Sequence, residues 1–498
     1  MSVEVELKFR AAACELQKLI QGQIQRDGKH VEHELVSIYF DTPKHKLRRH
    51  GLSLRVRHIG DKRVQTIKST INGQFGRGEW ESEIEGDTPD LGKASGSPLE
   101  RLASRKFSKK LRPVFETRVH RTSLPVCCEN SDIELVVDRG KIVAGSRSSP
   151  IEEFELELKK GKLENLFSYA KAIERETSAE LYLRSKSERG YALVTGAGAV
   201  HAEPIKLTKD MEPSDAFRTI AHSTVRHFAA NADAVHNFDP EGIHQMRVGL
   251  RRLRAAISLF SGLVPERTEE IKNELKWLTS ELAPAREIDV FKQKIGRRAL
   301  KVVPLEGTKA LEEEFAARGN AAIEHARNAV SSERYRTLLI TLLQWIELSQ
   351  DAPDRGARIK TVKFARKELH RRLKKVGKTG RALKNLSGRE RHKFRIKIKK
   401  ARYAVEFFES LFPGKHDRKQ LTRLFDHLKN VQDALGSLND FIAHQRMAAD
   451  VALNAPAQNR RARAFASGVV LGREDVAVKP LVKTAAKEVA ALRRINLF

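Results

Sequence analysis

Aromatic residues are scarce in this chain. They make up 6% of its 498 residues, with 3 Trp and 6 Tyr. Proteins that bind single-stranded nucleic acid usually stack the bases on aromatic side chains. The composition therefore argues against a dedicated binder of single-stranded nucleic acid.

Cysteines are few, and long apolar runs are absent. The three cysteines, Cys14, Cys127 and Cys128, are too few for a disulfide framework and lack metal-ligand spacing. No run of roughly 18 apolar residues occurs, and the N-terminus opens on charged residues rather than on a secretory signal. We therefore expect a cytoplasmic protein with no membrane partner.

What the chain has in excess is positive charge. Lys and Arg number 93 against 64 Asp and Glu, which gives a formal net charge of +29. A charge of this size indicates a polyanionic partner, such as nucleic acid, an anionic membrane or polyphosphate. The length of 498 residues exceeds what one hydrophobic core usually serves, so at least two domains are expected.

The two halves of the chain differ in pattern. Residues 1–200 alternate apolar and polar side chains with the period of strands, whereas residues 211–498 have helical periodicity. Residues 201–210, which follow a Gly/Ala-rich stretch, are predicted to be a linker. The first 200 residues carry a net charge of +6 and the remainder +23. The helical half is therefore predicted to be the main polyanion binder.

The predicted strands of the first half have unusual polar faces. For any one strand, a solvated face would explain the charges. Together, however, these faces cluster acids on some strands and bases on others: Glu4, Glu6 and Lys8; Arg55 and Arg57; Lys68; Glu79 and Glu81; Glu134 and Asp138; Glu155, Glu157 and Lys159. Closing such strands into a barrel would build a tunnel lined by both signs. Carboxylates would hold a divalent cation there, and basic residues would hold phosphate oxygens.

The order of these motifs resembles the CYTH, or triphosphate tunnel metalloenzyme, family. Glu4-x-Glu6-x-Lys8 is similar to its ExExK signature. Segments similar to later family motifs follow in the same order: Tyr39–Thr42, Leu52–Arg57, Thr66–Lys68, Glu79–Glu81, Val137–Gly140, Glu155–Glu157 and Ser185–Gly190. The resemblance extends over about 190 residues. It implies an α+β domain built on an eight-stranded antiparallel β-barrel that hydrolyses triphosphates with Mg²⁺ or Mn²⁺.

The resemblance also implies roles for single residues. The metal ligands would be Glu4, Glu6, Asp138, Glu155 and Glu157, which together with Lys8 form the expected catalytic set. The phosphates would be held by Lys8, Arg55, Arg57, Lys68, Lys186 and one further arginine. Arg118 and Arg121 are both candidates for that arginine and lie on opposite faces of one strand; Arg121 is favoured. Glu79 and Glu81 would orient the basic residues or hold a second metal.

An internal repeat marks the second half. His244–Phe260 matches His392–Phe408, and both segments carry His and three basic residues at i, i+3, i+7 and i+10. This spacing lines one face of a helix. A solvated basic face would explain either copy alone, but duplication of the same register makes that explanation weaker. Weaker matches around Asp289 and Asp440 follow each copy, and a pseudo-two-fold repeat of two helical halves is predicted.

The repeat resembles the CHAD domain, an α-helical domain often found behind a CYTH domain. The resemblance implies an all-α helical bundle that binds inorganic polyphosphate. The implied contacts are His244, Arg247, Arg251, Arg254, His392, Arg395, Lys399 and Arg402. Arg252, Lys400 and residues 371–375 would extend this surface, and Asp289 and Asp440 would hold basic residues in place by ion pairing. Association with polyphosphate granules would follow from such binding.

Three functions stay open at this level. The favoured one is a metal-dependent triphosphatase, acting on inorganic triphosphate or a related compound, with a helical domain that binds polyphosphate. The second is a polyphosphate-binding or targeting protein without turnover, and the third and weakest is a CYTH-type adenylate cyclase. No base-reading motif is present, so nucleic acid is expected only as a non-specific polyanion.

Overall fold

The computed structural model describes residues 2–3, 5–69, 78–128, 130–196, 198–264, 267–293, 305–348, 359–454, 459–473 and 478–495. The chain forms two compact units. The first contains residues 1–201, 225–230 and 331–351, and the second contains 202–224, 231–330 and 352–498. Strands dominate the first unit, and helices make up the second.

The described part of the first unit contains one antiparallel sheet of ten strands. The strands are β1 Ser2–Val3, β2 Glu6–Arg10, β3 Val31–Asp41, β4 Leu52–Ile59, β5 Lys62–Ser69, β6 Gly78–Ile84, β7 Arg112–Cys128, β8 Ser131–Ala144, β9 Arg147–Lys160 and β10 Glu180–Leu181. Their order in space is β1-β6-β5-β4-β3-β7-β8-β9-β2-β10. Five helices accompany the sheet: α1 Ala13–Asp27, α2 Lys46–Arg49, α3 Arg105–Ser108, α4 Leu163–Thr177 and α5 Lys186–Thr195.

The N-terminal segment pairs with strands from both ends of the central run. Ser2 of β1 lies opposite Glu79 of β6, whereas Glu6 of β2 lies opposite Glu157 of β9. The predicted antiparallel β domain is therefore confirmed. The ten strands include two of only two residues each, and closure into an eight-stranded barrel stays a prediction.

Period-two alternation positions the site. In β9, Phe154 and Leu156 are fully buried on one face, while Glu155 and Glu157 point to the other. Phe9 of β2 stacks on Phe154 with ring centroids 4.9 Å apart. Helices α1 and α4 pack on the outside of this sheet region. The apolar side chains thus form an outer core, which leaves the charged face of the strands turned inward.

Twelve helices follow within the described residues of the second half, which confirms its all-helical character. They are α6 Pro213–Ala229, α7 Ala232–His236, α8 Pro240–Leu259, α9 Thr268–Glu281, α10 Ala283–Phe291, α11 Leu305–Ser331, α12 Glu333–Glu347, α13 Thr361–Gly380, α14 Gly388–Phe408, α15 Lys415–Leu453, α16 Arg460–Arg473 and α17 Val478–Leu492. The predicted pseudo-two-fold axis stays a prediction.

The two copies of the repeat each form one helix, α8 and α14. Asp239 caps α8 by accepting from the Glu241 amide, and Ser387 starts α14 in a capping box with Glu390. The segments that follow the copies differ. Pro284 lies in the first turn of α10, which is a separate short helix after α9, whereas α15 runs unbroken for 39 residues.

Candidate functional site

A cavity of about 210 Å³ lies on the inward face of the sheet. Side chains from strands β2–β9 and from the start of α5 line it. Nine of the predicted site residues are among them: Glu6, Lys8, Arg55, Arg57, Lys68, Arg121, Glu155, Glu157 and Lys186. Strands β4 and β5 are far from β9 in the sheet order, so the sheet must curve to bring their residues together.

One wall of the cavity is acidic. Glu157 of β9 lies directly opposite Glu6 of β2 on one side and Glu134 of β8 on the other. Like charges directly opposite each other destabilise a sheet, so this row favours a bound cation. Lys159 supplies part of that charge, with its Nζ 2.7 Å from Glu157 and 3.1 Å from Glu134. The carboxylate oxygens are hard ligands of the kind that Mg²⁺ and Mn²⁺ prefer.

Asp138 is fully buried behind this wall. Arg121 donates to both of its oxygens, at 2.7 Å each, and Lys186 Nζ lies 2.6 Å from Oδ2. Burial alone would raise the pKa of Asp138, but the charges of Lys186 and Arg121 outweigh burial and lower it. Asp138 therefore holds the side chains of Arg121 and Lys186 in place. Its place among the direct metal ligands stays a prediction, since both oxygens already have partners.

Glu155 lines the cavity and lies close to Asp138. One oxygen each of Asp138, Glu153 and Glu155 lie within 4.8 Å of one another, a spacing that a metal ion could bridge. Burial opposes ionisation of Glu155, yet the charges of Lys186 and Arg121 bring its pKa well below the ordinary glutamate value. The group is therefore a carboxylate at neutral pH, as a metal ligand must be. The donor set fits a hard divalent cation.

The opposite wall is basic. Lys68 Nζ lies 2.7 Å from Glu79 Oε2, and Arg55 Nη2 lies 3.6 Å from Glu79 Oε1. Glu79 thus contacts basic residues as expected, and Glu81 accepts a hydrogen bond from Thr66 at 2.9 Å. These contacts fit the orienting role better than a second metal.

Arg57 is buried beside other positive charges. Burial, together with the charges of Arg55 and Arg121, lowers the pKa of Arg57 to about 9. Its Nε donates to Ser37 Oγ at 3.2 Å. An anion in the cavity would relieve this repulsion.

Arg118 does not belong to the cavity, which corrects one predicted phosphate contact. Its side chain is exposed and bonds to Glu116 of the same strand at 2.7–2.8 Å. Arg121 lines the cavity instead. The two positions are three residues apart on β7, so their side chains leave opposite faces of the strand.

Sequence reasoning missed Glu153, Arg189 and Tyr39. Glu153 is 1% exposed, contacts Lys186 and lies 3.0 Å from Arg189 Nη1. It shares the period-two run with Glu155, and that run was the available signal. Tyr39 lines the cavity; burial would raise the pKa of its hydroxyl, but the charges of Arg55 and other cations lower it.

Lys186 is the first residue of helix α5 and lines the cavity. The first turn of this helix is fixed by a capping box between Ser185 and Glu188. Further along, the Tyr191 hydroxyl donates to Asp41 Oδ2 at 2.7 Å. Asp41 also accepts from the Thr42 amide at 2.7 Å, so both carboxylate oxygens are engaged. The N-terminal end of α5 is therefore held against the sheet.

Two catalytic predictions at the N-terminus have different outcomes. Lys8 lines the cavity, and its ammonium donates to the carbonyl of Arg184, just before α5. Glu4 lies outside the described residues. Its partner in the ExExK pattern, Glu6, lines the cavity.

The basic faces of α8 and α14 approach each other in the second unit. The charge of Arg251 on α8 acts on both Arg395 and Lys399 of α14. We call Arg251, Arg395, Lys399 and Arg402 the first basic cluster. Burial and its three arginines lower the pKa of Lys399 to about 7. The ammonium of Lys399 is therefore partly buried among three arginines, with Asp440 as an opposing charge.

Other residues of α8 and α14 that were predicted to contact polyphosphate lie in different surroundings. His244 is partly buried, and burial together with Arg286 lowers its pKa. His392 is exposed and lies 3.1 Å from Asn439 Oδ1 through Nδ1. Arg247 donates to the Thr279 carbonyl at 2.8 Å. The two copies of the repeat thus have similar residues in different surroundings.

Asp289 and Asp440, which follow the two copies of the repeat, interact with different residues. Asp440 acts electrostatically on Arg395 and Lys399, in line with the predicted ion-pairing role. Asp289 pairs with Arg286 of its own helix. Arg252, expected on the polyphosphate surface, is 2% exposed and lies 2.9 Å from Glu406 of α14. It therefore ties the two helices together in the core, which corrects that expectation.

Comparisons with known proteins agree with this division. The CYTH domain family matches residues 2–191, and the CHAD domain family matches residues 219–449. An inorganic triphosphatase from Haemophilus influenzae is 34% identical over 171 residues, which is 33% of this chain and 47% of that protein. The match thus spans about half the length of this relative.

Solved structures are similar to each half. The CHAD domain from Ricinus communis aligns with 29% identity and a TM-score of 0.53, covering 61% of this chain and all of that one. A Hippeastrum protein, described as an adenylyl cyclase with a dominant triphosphatase activity, aligns at 19% identity with a TM-score of 0.30, over 39% of this chain and 96% of its own. Only the first similarity is close enough to support a fold.

No helix in the described ranges combines the length and the apolar character needed to cross a membrane. The sheet and its charged cavity fall in the region matched by CYTH, and the paired basic helices fall in the region matched by CHAD. The chain therefore contains a CYTH domain at residues 2–191, followed by a CHAD domain at residues 219–449.

Proposed function

We propose that the CYTH domain hydrolyses inorganic triphosphate with Mg²⁺ or Mn²⁺, and that the CHAD domain binds inorganic polyphosphate. Residues 1–200 and 211–498 would be the two functional domains, joined by residues 201–210. The observation that carries the proposal is the cavity. It combines an acidic wall on β2, β8 and β9 with a basic wall on β4 and β5.

A closed tunnel is the form in which this cavity would work. The N-terminal segment already pairs with β6 at one end and β9 at the other, which supports closure of the sheet around the cavity. A closed wall would exclude water and strengthen each electrostatic contact inside.

The residues of the cavity would divide the work. Glu6, Glu155 and Glu157, with Glu4 and Asp138 as further candidates, would hold the metal, which would polarise the phosphate chain and activate water when bound. Arg55, Arg57 and Lys68 would neutralise the phosphate oxygens from the other wall. Arg121 and Lys186, fixed by Asp138, would orient the chain between the walls. Catalysis of this kind relies on positioning and charge.

The side chains that line the cavity also favour a substrate that carries no nucleoside or other organic group. Among the described residues that line the cavity, Val136 is the one aliphatic side chain and Tyr39 the one aromatic side chain. A nucleoside or thiamine group would find little apolar surface to cover. Inorganic triphosphate therefore fits this cavity better than its substituted relatives, and cyclisation of ATP fits less well.

The CHAD domain would bind polyphosphate through the paired faces of α8 and α14. The charge of Arg251 reaches residues of the other helix, which supports one shared surface and a pseudo-two-fold arrangement of the repeats. Competition with tRNA at equal phosphate concentration tests the ligand. Displacement of labelled polyphosphate by tRNA would make this a general polyanion surface.

The enzymatic proposal is tested by phosphate release from inorganic triphosphate, ATP and thiamine triphosphate with each metal. Glu157→Gln removes one charge of the acidic row, and we expect at least a hundredfold loss of kcat/KM, in the range of a lost electrostatic group. Arg118→Gln, on the outer face of β7, is the matched control and should retain activity. Triphosphate binding without turnover by the unaltered protein would instead support the non-catalytic alternative.

A further inference from the structure

We infer that the CHAD domain has a second basic cluster, beside the first, that makes it select long polyphosphate chains over short ones. This second basic cluster consists of Arg254 on α8, Lys272 on α9, Arg372 on α13 and Lys400 on α14. The inference rests on the proposed binding of polyphosphate by this domain, and it concerns the length of the ligand.

Four helices bring these cations together. Arg372 is largely buried, and its Nη2 donates to the Ser258 carbonyl of α8 at 2.8 Å. Ser258 lies one helical turn beyond Arg254, so the guanidinium is fixed beside that face of α8. Burial and the charges of Arg372, Arg254 and Lys272 lower the pKa of Lys400. Helix α14 packs on α8 and α13, and α8 packs on α9, so Lys400 lies near positive charges from three other helices.

The cluster lacks enough acid to balance it. Lys272 pairs with Glu269 at 2.7 Å, and Arg372 lies 3.5 Å from Glu368. Arg254 and Lys400 are exposed and have no ion pair with any residue that the structure describes. Two cations are thus left to face solvent from neighbouring helices. An anion bound between them would remove repulsion, as at the first basic cluster.

The two clusters are adjacent because α8 and α14 contribute to both. Arg251 and Arg254 are one turn apart on α8, and Lys399 and Lys400 are consecutive on α14. The first cluster lies beside α15, through Asp440, whereas the second lies beside α9 and α13. A short anion can satisfy one cluster. A long chain can occupy both, and tethering raises the effective concentration of its second segment.

The experiment compares two probes, tripolyphosphate and long-chain polyphosphate, on the full-length protein by calorimetry. The variant Arg254→Gln/Lys400→Gln removes the two exposed cations of the second cluster and keeps the buried Arg372. Lys483→Gln/Lys487→Gln, on the exposed face of α17, is the matched control, since it also removes two positive charges. Any binding in the CYTH cavity is common to all proteins, so differences between them report the CHAD domain. Thermal unfolding checks that each variant is folded.

We expect the double variant to bind long-chain polyphosphate at least tenfold more weakly, with tripolyphosphate binding unchanged within twofold. The salt dependence for the long chain should fall by about one unit for each cation removed. Arg254→Lys/Lys400→Arg should restore length selection. Equal losses for both probes, or none for the long chain, would overturn the inference. Failure of the unaltered protein to bind long chains would instead refute the proposed function on which it rests.

Discussion

We expect the proposed binding of polyphosphate by the CHAD domain to depend on pH through Lys399. In the free protein, burial and the charges of Arg395, Arg251 and Arg402 lower the pKa of Lys399 to about 7, and Asp440 offsets only part of this. A bound phosphate chain adds negative charge beside the ammonium and raises that pKa again. Binding therefore takes up a proton, and affinity must decrease as pH rises through the pKa of the free protein.

The size of the effect follows from the fraction of protein in which Lys399 is protonated. About half is protonated at pH 7 and about a tenth at pH 8, so the apparent Kd should rise roughly fivefold over that interval. This interval lies above the range in which His244 titrates, because burial and Arg286 lower the pKa of that histidine below its ordinary value. The pKa of Lys400, the next residue on α14, is also lowered, so a Lys399 variant is needed to assign the change in affinity to Lys399.

Stability should change in the opposite direction. The unfolded chain holds the Lys399 proton up to the ordinary lysine pKa, whereas the folded protein releases it from about pH 7. The unfolded state thus binds more protons above pH 7, and the free energy of unfolding should rise with pH between these two values. Binding weakens with pH while the unliganded domain becomes more stable.

The assay is calorimetric titration with long-chain polyphosphate in two buffers of different ionisation enthalpy, which also measures proton uptake. Lys399→Arg keeps the charge at every pH, so it should abolish both the slope and the proton uptake while binding well at pH 8. Lys483→Arg, on an exposed face of α17, should leave both unchanged. A pH-independent Kd in the unaltered protein, or a slope that survives in Lys399→Arg, would refute the reasoning.

Three further predictions concern the support of the CYTH cavity. Tyr191→Phe removes the hydrogen bond to Asp41 and should lower the free energy of unfolding by about 1 kcal/mol, measured by urea denaturation; no change would contradict the role of this bond. Gly190→Ala would place a methyl carbon 2.2 Å from the Phe115 ring and should cost about 1–3 kcal/mol in the same assay, whereas a neutral result would show that α5 can shift. Glu153→Gln should raise KM for triphosphate more than it lowers kcat, because the buried carboxylate contacts Lys186, for which we propose a role in phosphate binding; an unchanged KM would argue against that positioning.

Periodicity in the sequence was sufficient to assign many side chains to the correct face of a strand or helix. The period-two run in β9 separated Phe154 and Leu156 from Glu155 and Glu157, and the structure has them on opposite faces. The helical repeat likewise predicted α8 and α14 as single helices. Local backbone geometry fixes which side chains share a face, so a pattern in one segment is enough to recover them.

Only the tertiary structure shows which charged faces of the strands and helices lie against one another. Arg118 and Arg121 were both candidates from the sequence, with Arg121 favoured, and the structure has Arg121 in the cavity and Arg118 exposed. Arg252 has the same charge as its neighbours on α8, yet it is buried against Glu406 of a helix about 150 residues away in the chain. Contacts between distant segments determine which side chains are buried. An exposed charged side chain can bind a ligand, whereas a buried one pairs with another residue and stabilises the core. The sequence alone determined the two domains and the charged faces from which each site is built; only the tertiary structure decided which of those charges face one another, because that depends on contacts between residues far apart in the chain.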